Sequence, residues 1–435
     1  MTKLVETLKH TKYYLQALVK WVTLAVLIGF CCGVVGVLFH LGVEWATKYR
    51  ESHVFLLWSL PLAGLFIVGF YKLTRTEGQG TNDIIDAVRM GKSLSILLLP
   101  AIFVGTILTH LCGGSAGREG AALQMGGDIG YHVGLLFRMD DRDMRTATLC
   151  GMAAFFSALF GTPLTATVFA MVVISVGVLY HAAFIPCFTA SLVAYGISVW
   201  VGVSPTHFTV TAPTLDPAML LRVAALGALC ALVAVLFCNV LRATGEFLRK
   251  HIQNPWLRVI CGGFLIIGLS YLVRTSDYNG VGMDVIQRAV EEGTASPAAF
   301  LLKILFTAIT LGAGYKGGEV VPSFFVGATF GCVVGPLLGL PAGFSAAVGL
   351  VAVFCASVNC PVASIFLSVE LFGSAGVLYF ALACGISYML SGYNGLYSSQ
   401  TILYSKLKAQ YINARTNSYH AGDVPPDHSD LRTRE

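Results

Sequence analysis

Apolar stretches separated by short polar turns follow one another from residue 21 to about residue 410. The stretches at 21–45, 53–71 and 219–241 approach or exceed the ~20 residues that a helix needs to cross the hydrocarbon core. Others, including the pieces on either side of Gly161-Thr162-Pro163, are too short for a straight crossing. This pattern predicts an all-α polytopic membrane protein built from tilted and broken helices.

The composition strengthens that interpretation. The chain is 56% hydrophobic and 12% charged, whereas soluble proteins average roughly 45–50% apolar and about 25% charged residues. The net charge of +5 is modest, so we expect no nucleic-acid partner. Lysines and arginines gather near both ends of the chain, which predicts cytoplasmic termini. The 12 cysteines lie in apolar runs without metal-site or disulfide spacing, so we expect no metal and no cofactor.

Three segments of the first half recur in the second. Residues 78–88 match residues 280–290 at an offset of 202, and 117–119 fall on 317–319 at an offset of 200. Residues 151–155 match residues 349–353 at an offset of 198. We therefore divide the chain into a cytoplasmic segment 1–20, a first membrane repeat 21–210, a second repeat 215–410 and a polar tail 411–435, expected to be disordered and cytoplasmic. Two such halves of broken helices are typical of transporters built from inverted repeats.

A charged pair, Arg118-Glu119, stands inside a glycine-rich stretch of the first repeat, and Glu319 follows Gly317-Gly318 in the second. Each acid precedes a short apolar segment, which predicts a helix with free N–H groups at its start. Helix N-termini meeting between two repeats favour a small anion. A glutamate there can occupy the site as a surrogate anion, or leave it when protonated, and so couple anions to protons. The alternative is a surface loop with a solvated ion pair.

The motifs resemble those of the CLC family of anion channels and transporters over residues 20–410. The family's gating motif Gly-Arg-Glu-Gly-Pro is similar to Gly117-Arg118-Glu119-Gly120-Ala121, which implies that Glu119 is the gating glutamate. The late tyrosine that caps the central anion in this family corresponds to Tyr397. The segment 160–164 resembles the family's Asn-Ala-Pro-type segment.

Departures from the chloride-transporting pattern point to the fluoride clade of that family. The early Gly-Ser-Gly-Ile-Pro motif is replaced by residues 78–82, and the stretch 316–322 looks like the form found in the fluoride clade, although Val321 stands where we expect threonine. The cytoplasmic proton-relay glutamate is missing near residues 172–173. The resemblance implies proton transfer by Glu119 and Glu319. It also implies anion contacts from Gly80, Thr81, Asn82, Arg118, Gly120, Gly318, Val320 and Tyr397.

The resemblance therefore implies a homodimeric fluoride/proton antiporter of the cell membrane, in bacteria the inner membrane, whose partners are fluoride or chloride, protons and the lipid bilayer. Two alternatives stay open, a chloride/proton exchanger and a passive anion channel. An intramembrane enzyme using Ser115 has no histidine or lysine base placed by a motif, so we expect no enzyme.

Several residues also have a purely structural interpretation. Thr81 and Asn82 are ordinary helix-capping residues, Glu319 is one turn from Lys316, and Tyr397 suits a membrane interface. From the residues alone we expect structural roles for Asp128, Glu370 and Arg118, and expect His40 and His110 to be polar residues satisfied within the bundle rather than metal ligands.

Overall fold

The computed structural model describes residues 2–408 and 410–418, and side chains from residue 11 onward. Within this part of the chain there are sixteen α-helices. They are α1 (Thr2–Ser52), α2 (Leu60–Leu73), α3 (Thr81–Met90), α4 (Leu98–Leu111), α5 (Glu119–Leu136), α6 (Asp141–Phe160), α7 (Pro163–Val173), α8 (Phe184–Val201), α9 (Pro217–His251), α10 (Pro255–Val273), α11 (Met283–Gln287), α12 (Ala299–Ala313), α13 (Val320–Val334), α14 (Ala342–Val358), α15 (Pro361–Phe372) and α16 (Val377–Leu390). The all-α polytopic prediction is confirmed.

Five helical segments in the described part are long and apolar enough to cross a membrane. They are Thr11–Ser52, Val54–Leu73, His181–Val201, Pro217–His251 and Pro255–Val273. The remaining apolar helices, such as α7, α13 and α15, have 10–17 residues. Broken backbone at membrane depth is tolerated only where protein buries it or where it lines a water-filled path, so the ends of these short helices mark the interior of the molecule.

The two halves repeat one another helix by helix. α3 to α7 of the first half have counterparts in α11 to α15 of the second, in the same order. The lengths are similar for α4 to α7, whereas α11 has 5 residues against 10 in α3 and continues as a π-helical turn, Arg288–Glu292. α6 and α14 are the most deeply placed pair, because every residue from Ala147 to Phe160 and from Phe344 to Val358 is buried. This correspondence supports the division into two repeats near residue 210.

Paired glycines bring each short helix against the buried helix that follows it. A Cβ at Gly126 in α5 would collide with the backbone oxygen of Gly151 in α6. A Cβ at Gly327 in α13 would likewise collide with the backbone oxygen of Gly349 in α14. Small residues at a crossing let helix backbones approach closely in a membrane, so both halves use the same packing device.

A three-stranded sheet joins the segment after α7 to the segments after the last helix. β1 (Ser175–Val176) pairs in parallel with β2 (Thr401–Tyr404), and β2 pairs antiparallel with β3 (Tyr411–Arg415). The polar tail was expected to be disordered from residue 411, and β3 differs from that expectation. Backbone pairing to β2, together with Ile412 buried beside Ile402, orders residues 411–415 despite their polar surroundings. Residues 419–435 lie outside the described residues.

Candidate anion and proton site

The first turns of α5 and α13 meet head to head. Gly117 and Gly318, one residue before each cap, exchange two backbone hydrogen bonds, each 2.7 Å long. A Cβ at Gly120 would lie 2.9 Å from the Cα of Gly318, so this approach requires glycine. The starts of both helices therefore border the same small volume. The Gly318 N–H that the sequence assigns to an anion donates to Gly117 instead, and the anion contact from Gly120 stays a prediction.

Glu119 is the first residue of α5 and is fully buried. Its Oε2 accepts a hydrogen bond from the backbone N–H of Arg118 at 2.9 Å and another from the backbone N–H of Val321 at 3.2 Å. The Arg118 donor lies in the first repeat and the Val321 donor lies in the second. The carboxylate thus occupies a place where N–H groups from both halves would hold a free anion. The sequence points to Val320 as an anion contact, which stays a prediction, and the N–H group that reaches the Glu119 carboxylate belongs to the next residue, Val321.

The ion pair with Arg118 is a minor contact. Arg118 Nε lies 3.8 Å from Glu119 Oε1, and neither atom has a hydrogen-bond partner. The rest of the guanidinium turns away, with Nη1 2.9 Å from His40 Nδ1 and Nη2 3.5 Å from the carbonyl oxygen of Leu159. Arg118 therefore connects α5 to α1 and α6, while the backbone N–H groups hold Glu119. The solvated surface ion pair considered as an alternative does not describe this buried geometry.

The structural alignment of the two repeats differs by one residue from the alignment that the sequence suggests. α5 begins at Glu119 after the cap Arg118, whereas α13 begins at Val320 after the cap Glu319. Glu319 therefore corresponds to Arg118, and Glu119 corresponds to Val320. A three-residue motif is too short to fix the alignment to a single residue, which explains the shift. The two glutamates approach the site from unequal positions.

Glu319 has a buried Oε2 without a hydrogen-bond partner, and this oxygen lies beside Gly120. The alternative pairing with Lys316 is not formed in the described structure, because the Lys316 ammonium lies over the Tyr71 ring, 4.1 Å from its centroid. An unpartnered buried carboxylate oxygen is costly when charged. Glu319 is thus a second candidate for carrying a proton.

The remaining predicted contacts gather around α3. Tyr397 is 2% exposed, and its buried hydroxyl has no partner within the described residues. Asn82 Oδ1 accepts from the backbone N–H of Ser399 at 3.0 Å and so holds the segment that carries Tyr397. Thr81 Oγ1 accepts from Gln124 Nε2 at 3.0 Å, which links α3 to α5. Neither partner was visible in the sequence, because both depend on tertiary packing.

The N-terminus of α3 is capped by its own first turn. The Asp83 carboxylate accepts a hydrogen bond from the backbone N–H of Gly80 at 2.9 Å. That bond uses the Gly80 donor that the sequence assigned to an anion. The side chains of Thr81 and Asn82 are not the caps, so the purely structural interpretation of these two residues as ordinary caps does not hold.

The residues expected to be structural do have protein partners. Glu370 accepts from the backbone N–H groups of Leu164 and Thr165, both at 2.9 Å, and so caps α7 from α15. Asp128 Oδ1 lies 3.2 Å from His132 Nδ1, which is an ion pair when the histidine is protonated, although neither carboxylate oxygen of Asp128 has a hydrogen-bond partner among the described residues. His110 places Nδ1 2.8 Å from the Thr106 oxygen and Nε2 3.1 Å from the Ala116 oxygen. Within the described residues no His, Cys, Asp and Glu cluster suits a metal ion.

Comparison with known proteins is consistent with this geometry. A family model described as voltage gated chloride channel matches residues 63–392. A chloride/fluoride channel protein of Pseudomonas syringae is 36% identical over 404 residues, covering 90% of this chain and 88% of the relative. An H(+)/Cl(-) exchange transporter of Vibrio vulnificus is 27% identical, with 91% and 92% covered.

Solved structures give the same result at the level of the fold. The crystal structure of a CLC-type fluoride/proton antiporter superposes with a TM-score of 0.86 at 30% identity, and the match covers 90% of this chain and 99% of that one. A slow cyanobacterial Cl-/H+ antiporter superposes with a TM-score of 0.73 at 21% identity, covering 85% and 94%. At that identity the second likeness shows the shared fold alone.

Proposed function

Because this chain belongs to the voltage gated chloride channel family, we propose that it is a proton-coupled anion transporter that exports fluoride in exchange for protons. The observation that carries the proposal is the Glu119 carboxylate held by N–H groups of both repeats. No metal or cofactor takes part in the proposed cycle, which uses the chain's own carboxylates.

The mechanism follows from competition for the same donors. Ionised Glu119 accepts the backbone N–H groups of Arg118 and Val321 and excludes a free anion. A proton from outside neutralises the carboxylate and weakens these charge-assisted hydrogen bonds. The neutral side chain leaves, and an anion takes the donors. When the proton passes to the inside, the returning carboxylate expels the anion to the outside. Fluoride and protons therefore move in opposite directions.

The fluoride preference rests on three features. The relative at 36% identity is named a chloride/fluoride channel protein, and the solved structure at 30% identity is that of a fluoride/proton antiporter. The site carries the second acid, Glu319, and has Val172 and Val173 where chloride exchangers of the resembled family place their relay glutamate. Fluoride is small and strongly hydrated, so a selective site must replace its water with short, well-aimed donors. Backbone N–H groups, Thr81, Asn82 and Tyr397 are the available donors.

Two further functions belong to the same scaffold. The Vibrio relative is named a chloride exchanger, which favours chloride as the competing substrate. A passive channel would use the same pathway without moving protons. One scaffold hosts both kinds of activity, so the fold does not choose between them.

The basic side chains support an orientation with both termini in the cytoplasm. Segments 72–92, 138–145 and 249–258 are rich in lysine and arginine, whereas segments 202–216 and 373–376 contain neither. Cytoplasmic loops carry the excess of such residues. We accordingly place the protein in the cell membrane, in bacteria the inner membrane, as a homodimer with one pathway in each subunit.

The test is anion efflux from liposomes with the pH recorded alongside. Wild type should release fluoride in response to an inward proton gradient, and should move protons in proportion. Fluoride flux without proton movement would support the channel. Equal transport of fluoride and chloride would remove the fluoride assignment and leave the family membership intact.

A further inference from the structure

Two cavities of equal size lie at opposite ends of the structure. The inner cavity, ≈ 470 Å³, lies between the ends of α2, α9 and α12 and the start of α10. The outer cavity, also ≈ 470 Å³, lies between the end of α1, Arg118 and residues 276–285 before and within α11. α1 and α9 hold the corresponding positions in the two cavities. The cavities are therefore counterparts produced by the inverted repeat.

Their charges differ in sign. The inner cavity has three cationic lining residues, Arg249, Arg258 and Lys316, and one acid, Glu77. The outer cavity has Lys48, Arg50 and Arg118 against Glu44, Glu51, Asp277 and Asp284. With histidine neutral, the lining charge is +2 inside, from three cations and one acid. It is −1 outside, from three cations and four acids.

The inner cations are also less neutralised than the outer ones. In the outer cavity Lys48 pairs with Glu44 at 2.6 Å and Arg50 with Glu51 at 3.4 Å. In the inner cavity no ion pair is found among the described residues. Arg258 donates only to backbone oxygens, to Ala313 at 3.2 Å and to Ile252 at 3.4 Å. The Lys316 ammonium contacts the Tyr71 ring and no carboxylate.

The inner cavity borders the segments that lead to the anion site. Gly78 lines it, two residues before the cap of α3, and Lys316 lines it, three residues before Glu319. An ion held beside Lys316 is thus next to both helix starts. A concave, low-dielectric surface of one charge sign focuses its field and raises the local concentration of the opposite ion.

We propose that the inner cavity is an anion-collecting site that binds small inorganic anions from the cytoplasm through Lys316, Arg249 and Arg258, while the outer cavity lacks this property. The inference rests on the proposed transport function and concerns the rate of loading only. Cavity charges leave the final anion and proton gradients unchanged, since those depend on the coupling ratio. The asymmetry lets the protein collect fluoride at low cytoplasmic concentration and limits recapture of the exported ion.

Membrane vesicles of defined sidedness test this directly. Initial fluoride flux is measured with a fluoride electrode in inside-out vesicles, where the cytoplasmic face meets the added anion, and in right-side-out vesicles. Lys316→Gln and Arg249→Gln should each raise the fluoride KM by on the order of 3- to 10-fold in inside-out vesicles only. The coupling ratio and maximal rate should stay at the wild-type values. Lys316→Arg should retain the wild-type KM.

Screening of the cavity charges by salt provides an independent test. Raising potassium gluconate from about 0.02 M to about 0.2 M shortens the Debye length from roughly 20 Å to below 10 Å. The initial fluoride flux of the wild type should fall as the salt concentration rises. The flux of the double variant Lys316→Gln/Arg249→Gln should not depend on the salt concentration. Arg145→Gln, which changes an exposed residue that lines neither cavity, is the matched control and should behave as wild type.

The outcomes separate the two proposals. A wild-type protein without proton-coupled anion flux would overturn the function. Coupled flux with an unchanged KM in Lys316→Gln and Arg249→Gln would overturn the collecting site alone. A Lys316→Arg protein as impaired as Lys316→Gln would also overturn it, because the charge would then not be the cause.

Discussion

Two kinds of hydrogen-bond donor surround Glu119, and the backbone kind decides its behaviour. The Arg118 guanidinium is 3.8 Å away, whereas two backbone N–H groups lie at 2.9 and 3.2 Å. Backbone donors attract an anion without adding a full cation to the membrane interior, which would be costly. The same N–H groups are therefore available to a free anion when the carboxylate leaves.

Glu119→Gln should abolish proton coupling, because an amide neither gains nor loses a proton near neutral pH, while it keeps the size of the side chain. Fluoride flux in liposomes should then be blocked or become independent of pH. Glu44→Gln, which alters a half-exposed carboxylate on α1, serves as the control and should remain coupled. Full pH-dependent antiport by Glu119→Gln would contradict the assignment.

Thr81→Ala and Asn82→Ala should reduce fluoride efflux more than chloride efflux. Each substitution removes a polar group near the α3 N-terminus, and Asn82→Ala also frees the Ser399 N–H that positions Tyr397. Loss of a direct contact costs about 1–3 kcal/mol, so the fluoride-to-chloride rate ratio should fall by roughly 5- to 150-fold. Thr146→Ala, on the surface of α6, should leave the ratio unchanged. An unchanged ratio in both variants would place selectivity elsewhere.

Helix crossings set the spacing of α5 and α6 within the first repeat and of α13 and α14 within the second. Gly126→Ala should destabilise the protein by about 1–3 kcal/mol or more, because the added methyl group meets the backbone of Gly151 and cannot be accommodated by a side-chain rotation. Melting of the purified protein in detergent measures the effect. Gly196→Ala in α8 has open space around it and should raise stability slightly. Equal melting temperatures for the two variants would show that the crossing tolerates a methyl group.

The sequence predicted the positions of the helices better than the residue-by-residue alignment of the two repeats. The helix after Gly80 and the breaks at Gly161 and Pro163 were visible, since glycine and proline act on the local backbone. The match of Glu119 with Glu319 was off by one, because the alignment of two helix starts depends on how their glycines pack in space. The roles of Gln124 and Ser399 depend on contacts between distant segments, and no local pattern encodes them.

At the scale of the whole molecule, the two cavities at opposite ends of the structure differ in the charge of their lining residues. The arrangement of subunits is a separate question. We predict a homodimer, since the family resemblance implies one pathway in each subunit. Crosslinking in lipid vesicles at low protein density should give a dimer band. Proteins that cannot pair, such as an unrelated monomeric transporter, provide the control, and monomer alone under these conditions would contradict the prediction.

The one-residue shift between the repeats has a consequence for direction. A fold duplicated in opposite orientations looks alike from either side of the membrane and has no intrinsic polarity. Where the halves touch, however, the first presents arginine then glutamate, and the second presents glutamate then valine. Inside and outside are therefore distinguishable at the level of a single peptide unit. The two repeats are related by a pseudo-two-fold rotation. The residues at their contact break that symmetry, so the two directions across the membrane are not equivalent.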